Sequence, residues 1–160
     1  MIEVQQLNTH EAKRLRHIRL AALRDAPYAF GTTFSNALSW STADWLEQLH
    51  TTPTFIAVLN GADCGLVRSL THPEKAHVAE LISMWVAPQA RGKGVGGALI
   101  KTVIDWSRDK GYKLLSLDVS EGNRFAIALY ERYGFKATGV TNCFPLPREH
   151  IKEYEMALNL

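Results

Sequence analysis

Residues Arg91-Gly92-Lys93-Gly94-Val95-Gly96-Gly97 put four glycines and two cations into seven consecutive positions. They follow the apolar run Leu81–Ala87 and precede a segment with helical periodicity. N–H groups at a helix start lack intrahelical acceptors and carry partial positive charge, so such a junction suits phosphate or pyrophosphate. Glycine lets the backbone close on phosphate oxygens with no Cβ in the way. Arg91 and Lys93 add full charges beside the same pocket. The chemistry these residues suit is capture of a diphosphate-containing cofactor.

More than one such cofactor fits the glycines. Gly92, Gly94 and Gly97 satisfy G-x-G-x-x-G, and Asp118 falls near the ribose-binding position of that dinucleotide fingerprint. Three features weigh against a dinucleotide. Ala87–Arg91 separate the strand from the glycines, several elements precede the motif, and no room follows for a second mononucleotide half. A Walker A loop is excluded, because G-x-x-x-x-G-K-[ST] occurs nowhere.

The elements that must position this junction follow from periodicity. Ile2–Gln6 reads as a strand. Thr9 is placed to cap a helix reaching about Arg24, with Leu15, Ile18 and Ala22 on its apolar stripe. Tyr28–Ser39 is irregular, and Ser41-Thr42-Ala43-Asp44 opens a helix bearing Trp45, Leu46 and Leu49. Phe55–Leu59 and Cys64–Leu70 form a hairpin through Asn60-Gly61. His77–Val86 is a long strand. Gly94–Lys110 is a helix stopped by Gly111, with Val95, Leu99, Val103 and Trp106 along one face. A strand Leu114–Val119, a helix Asn123–Tyr133 and strands Phe135–Val140 and Ile151–Leu158 complete the chain. Strands cluster early and then alternate with helices. The expected class is α/β of the α+β kind: a mixed, mostly antiparallel twisted sheet of about seven strands, flanked by helices.

Composition narrows the partners. The 160 residues suit one domain, residues 1–160, with 46% apolar and 21% charged content. A net charge of +2, without runs of like charge, gives no nucleic-acid footprint. Cys64 and Cys143 are isolated, and the six histidines lack ligand spacing, so no metal is expected. No apolar window is long enough to span a membrane, and no leader signal stands at Met1–Gln6, so a cytoplasmic location is the expectation.

The loop Arg91-Gly92-Lys93-Gly94-Val95-Gly96 also fits R/Q-x-x-G-x-G/A. Val86-Ala87-Pro88 precedes it, and Asn123, Ala126, Leu129-Tyr130 and Tyr133-Gly134-Phe135 follow at matching spacing. From about His77 to Phe135 the chain thereby resembles the Gcn5-related N-acetyltransferase (GNAT) family. The resemblance implies acetyl-CoA as donor. N–H groups of Arg91, Gly92, Lys93, Gly94, Val95 and Gly96 would hold the pyrophosphate, and Trp85 and Val86 would pair with the pantetheine amides. Splayed central strands, His77–Val86 and Leu114–Val119, would open the cleft for the thioester. Asn123 would cap its helix, contact the cofactor, or both, and small Ala126 would admit the cofactor beside Tyr130.

Acetyl transfer to an amine is helped by a base that takes the ammonium proton and an acid that protonates the leaving thiolate. Strand alternation puts Glu80 on one face with Val78, Ile82, Met84 and Val86. A carboxylate among apolar neighbours is expected to be raised toward the working range and to act as the base. The family also contains members that use a water chain instead, and an exposed or ion-paired Glu80 is the structural alternative. Tyr130 shares a helix face with Asn123, Ala126 and Ile127 and is the candidate acid, protonated at neutral pH. The acceptor walls are expected at Pro27–Trp40 and Thr141–His150, which carry Tyr28, Phe30, Phe34, Trp40 and Phe144 but few acids. The acceptor reads as a small-molecule, amino-acid or peptide amine, not a polybasic tail. A homodimer is left open, and a non-catalytic acyl-CoA-binding module is the alternative function.

Overall fold

Alternating apolar residues along seven segments zip into one sheet. In the computed structural model, which describes residues 1–160, these are β1 (Ile2–Gln6), β2 (Thr54–Leu59), β3 (Ala62–Thr71), β4 (Val78–Val86), β5 (Leu114–Ser120), β6 (Lys136–Cys143) and β7 (Lys152–Asn159). The helices are α1 (Ala12–Asp25), α2 (Phe34–Leu38), α3 (Thr42–Thr51), α4 (Val95–Asp109) and α5 (Arg124–Arg132). The strand order is β1-β2-β3-β4-β5-β7-β6. Every neighbouring pair is antiparallel except β4 with β5.

That parallel pair is short. It runs from Val78↔Leu114 to Glu80↔Ser116, and beyond it the two strands part. The parting leaves main-chain groups of β4 and β5 facing a gap in the middle of the sheet. α4 lies on one face, with Val95 and Leu99 packed over Gly65. α1 and α3 cover the other, where Asp25 reaches Trp85 and Gln48 reaches Arg68. The core between the layers includes Leu15, Ile18, Ile56, Leu66, Leu99, Val103, Leu115 and Leu117.

Three local readings change. Simple alternation along β4 fails at Ser83, whose φ is 57°. Leu66 pairs with Trp85 but Arg68 with Ile82, so Ser83 and Met84 both stand opposite Val67. This bulge re-aims the end of the strand. Glu80 and Ile82 share their face with Trp85, while Met84 and Val86 turn toward α4, contrary to the expectation that all five alternate residues stay together. Thr9 does not cap α1: Asn8 Oδ1 accepts the His10 N–H at 2.9 Å, folding Thr9-His10 into a turn, and the helix starts at Ala12. The segment read as irregular contains α2, capped by Thr33, whose hydroxyl accepts the Asn36 N–H.

Candidate functional site

The parted strands, the glycine loop and α5 enclose a cavity of about 1010 Å³. Its lining includes Trp85 and Val86 from β4, and Arg91, Gly92, Gly94, Val95 and Gly96 from the loop and the start of α4. Asn123, Ala126 and Tyr130 from the start and body of α5 also line it. The structure therefore brings together ten of the residues singled out from the sequence. Lys93 stands exposed outside the lining, and Glu80 lies outside it too.

The loop earns its shape from glycine. Gly92 and Gly94 have φ of 75° and 87°, the left-handed region that side chains with a Cβ resist. Gly94 is the N-cap of α4, and no side chain caps that helix. The first N–H groups of α4 therefore lack a side-chain acceptor where the helix start lines the cavity, an arrangement that suits an anion. On β4, the Ala87 N–H donates to Cys64 O at 2.8 Å on β3. Strand alternation then turns the main chain of Val86 the other way, into the opening.

Arg91 does something the sequence does not reveal. Its Nε donates to Val86 O at 2.9 Å, and its Nη2 donates to Asp25 at 2.6 Å. Asp25 also accepts from the Trp85 indole at 3.0 Å. The Trp85 hydrogen bond, followed by the Arg91 one, holds the Asp25 carboxyl below the usual carboxylate range. Arg91 thus braces the loop to β4 and to the end of α1. With Arg91 tied up, the free positive potential at the loop comes from its main chain and from exposed Lys93.

Across the cavity, the Asn123 side chain caps α5 by accepting the Ala126 N–H at 3.3 Å. Tyr130 is buried, with 5% exposure, and meets Phe135 edge to face at 5.7 Å. Burial pushes its hydroxyl up, so it stays protonated at neutral pH.

One expectation on β4 is corrected. Glu80 is not isolated among apolar neighbours: His72 Nε2 lies 2.9 Å from its Oε1, a partner the sequence reading had left without a role. The segments Pro27–Trp40 and Thr141–His150 carry few acids, as expected, but the strands beside them are acidic. Asp118 pairs across strands with Glu155, Ser120 with Glu153, and Glu80 with Ser116, so four carboxylates meet on one face of β4, β5 and β7. Desolvation first, and then the like charges of Glu80 and Glu155, push Asp118 up; Glu153 rises by desolvation and then through Asp118 and Glu80. Period-two spacing in Asp118-Val119-Ser120 and Glu153-Tyr154-Glu155 marks each half, but only the pairing of β5 with β7 joins them. No group of three or more His, Cys, Asp or Glu side chains is placed to hold a metal.

The two expected acceptor walls do meet. Arg148 Nη1 and Nη2 donate to Pro27 O and Gly31 O at 2.8 and 2.6 Å, fastening the loop before β7 to the connection after α1. Tyr28 and Phe30 line the cavity. Phe144 is buried under Arg148, and Trp40 packs on Trp45 at 4.8 Å, so these two serve packing.

A family model described as the acetyltransferase (GNAT) family matches residues 15–135. The chain belongs to the GNAT family. Among relatives, an uncharacterized N-acetyltransferase of Methanocaldococcus jannaschii is 33% identical over 96 residues, covering 58% of this chain and 42% of that protein. N-acetylaspartate synthetase of Rattus norvegicus is 32% identical over 115 residues, 69% of this chain and 38% of that protein. The chain thus spans less than half the length of these relatives. Among solved structures, a putative acetyltransferase from Salmonella typhimurium with its cofactor acetyl-CoA superposes with a TM-score of 0.80 at 19% identity, over 100% of this chain and 94% of that one. The ribosomal-protein-S18-alanine N-acetyltransferase of Escherichia coli gives 0.73 at 23%, over 99% and 94%. The seven-stranded sheet is the GNAT fold, and acetyl-CoA is the co-substrate that goes with it. No helix is long and apolar enough to cross a membrane.

Proposed function

We propose that residues 1–160 form one catalytic domain that transfers the acetyl group of acetyl-CoA to an amine by direct attack in a ternary complex. The observation that carries this reading is the parting of β4 from β5 beside an uncapped, glycine-built helix start. Main-chain N–H groups of the loop from Gly92 to Gly96 hold the pyrophosphate, the Arg91 N–H being already given to Pro88 O at 3.3 Å, and Lys93 adds charge from outside the cavity. Trp85 and Val86 present the strand end along which the pantetheine lies. Asn123 and Ala126 form the wall where the cofactor passes α5.

The amine arrives as an ammonium ion. Glu80, with Asp118 and Glu153 nearby, draws it in and takes its proton, directly or through water. The freed lone pair attacks the thioester carbonyl, whose oxygen is polarised by main-chain N–H groups of β4. The tetrahedral intermediate collapses, the C–S bond breaks, Tyr130 gives its proton to the departing sulfur, and the second proton shed by the acetylated nitrogen restores the Tyr130 hydroxyl. Holding both reactants in one cleft removes most of the entropic barrier. The acceptor is a small-molecule, amino-acid or peptide amine.

Incubation with acetyl-CoA and a panel of amines, followed by thiol detection, tests this. Amine-dependent release of free CoA is the expected result. Tight acetyl-CoA binding with no release for any amine overturns it and leaves a binding module.

A further inference from the structure

Two arginines are buried where no acid meets them. Arg19, on α1, is 7% exposed, and Arg68, on β3, is 5% exposed. Arg68 is satisfied by neutral partners: its guanidinium donates to Thr54 Oγ1 at 3.1 Å and to the side chain and carbonyl of Gln48, each at 2.9 Å. Arg19 makes no ion pair. Its Nη1 is fully buried without a hydrogen-bond partner, and its guanidinium lies over the Phe30 ring at 4.8 Å. The charge facing Arg19 is another cation, Arg68. Burial pushes both down to about 10, so both remain charged at neutral pH.

A buried cation with neither acceptor nor counter-ion is among the costliest arrangements a fold can keep. Arg19 is such a group, and Arg68, whose donors are taken by neutral acceptors, adds an uncompensated positive charge beside it, so together they favour an anion. The position of the pair says which kind. Phe30, under the Arg19 guanidinium, lines the cavity of the proposed reaction. Arg68 pairs with Ile82 on β4, and Glu80 is the next residue along that same sheet face, roughly 7–8 Å away on the diagonal. One end of this sheet face is thus acidic, and at the other Arg19 stands behind Phe30, outside the cavity lining, with Nη1 left without an acceptor.

Building on the acetyltransferase reading above, we propose that the acceptor is an amino acid or similar small amine with a carboxylate, bound through that carboxylate at Arg19 with Arg68 behind it. The ammonium end faces Glu80 and Asp118, and the carboxylate fills the donors that Arg19 leaves open. Arg19 recognises substrate and takes no part in proton transfer.

The test compares free amino acids with their C-terminal amides, using CoA release by the intact protein. The acids are expected to lead by about 10- to 100-fold in kcat/KM, the worth of a charge-assisted pair. In Arg19→Met the acid-to-amide ratio falls toward one through KM, and Arg19→Lys restores part of it. Arg19→Met also relieves an unpaired buried charge, so its Tm is expected at or above that of the parent. Equal use of acids and amides by the parent overturns the proposal. So does an Arg19→Met defect that hits both alike, which marks a structural role. A second arm needs no turnover: N-acetyl amino acids and sodium sulfate are titrated separately into the CoA-loaded protein. Arg19-dependent binding of the former upholds the carboxylate site, even if no amine is acetylated and the activity reading falls. Binding of sulfate alone means a free anion sits there and overturns it.

Discussion

The cavity is lined largely by two short stretches, Val86–Gly97 and Gly122–Tyr130, the first a glycine-built loop and helix start, whereas the charged groups beside it are side chains brought together from α1, β3, β4, β5 and β7. On the proposed reading, the loop of the first takes a diphosphate through N–H groups that every residue type but proline carries, provided glycine allows the path. On the same reading, the charged groups select their partner at single positions. The lesson is that donor binding is robust to side-chain replacement but fragile to backbone change, and that acceptor choice is the reverse.

The sharpest way to break that contrast is at Gly94. Gly94→Val puts a branched side chain at φ 87° on the helix N-cap. The loop relaxes out of that conformation and takes its N–H groups off the phosphates. Acetyl-CoA affinity by calorimetry is expected to fall on the order of 100-fold, with the helical circular dichroism retained. A variant that still binds normally would mean that side chains, not the main chain, hold the donor.

Tyr130→Phe is next. It keeps the buried ring against Phe135 and removes only the hydroxyl. We expect kcat to drop about tenfold or more with acetyl-CoA KM unchanged. Undiminished turnover would take Tyr130 out of the reaction.

Asp25 joins the two sides, since it accepts from Trp85 and from Arg91. Its carboxyl is held low, so its contribution is present above the ordinary carboxylate range and lost as pH falls through its depressed value. Asp25→Asn should lower Tm by roughly 3–6 °C at pH 7, a gap that closes as the pH drops below about 3.9. A gap independent of pH would assign the loss to packing.

The smallest effect lies away from the cleft. Ser41 and Asp44 form a reciprocal capping box on α3, with bonds of 3.1 and 2.8 Å. Ser41→Ala is expected to cost about 1 kcal/mol in denaturant unfolding and to leave kcat/KM untouched. A change in kcat/KM would show that the cleft is coupled to α3 through Gln48 and Arg68.

These two halves also differ in how far they were legible in the chain. The glycine loop, its flanking strand and the face of α5 are local patterns, and each was found where expected. The hairpin at Asn60-Gly61 was equally readable, because φ of 52° and 80° is what that dipeptide supplies. The Ser83 bulge was not, because an extra residue in a strand shows only against its partner. Arg19 was within reach: it stands four residues after Leu15 and three before Ala22, on the buried stripe of α1. Arg68 stands between Leu66 and Leu70 on one strand face, the same pattern of a charge among apolar neighbours that drew attention to Glu80. Its buried state depends on α3 packing over it. The acidic face needed the pairing of β5 with β7, which no window of sequence contains.

A sheet normally has two borders, and here they are β1 and β6. The separation of β4 from β5 after Glu80 and Ser116 creates two more, inside the molecule and facing each other. Open borders invite foreign strands and aggregation. These are sheltered by α5 and by the segment after α1, in a slot suited to a thin polyamide tail rather than to another protein's strand. The chain thereby keeps unsaturated hydrogen-bonding capacity at its centre while offering little for a neighbouring copy to polymerise on.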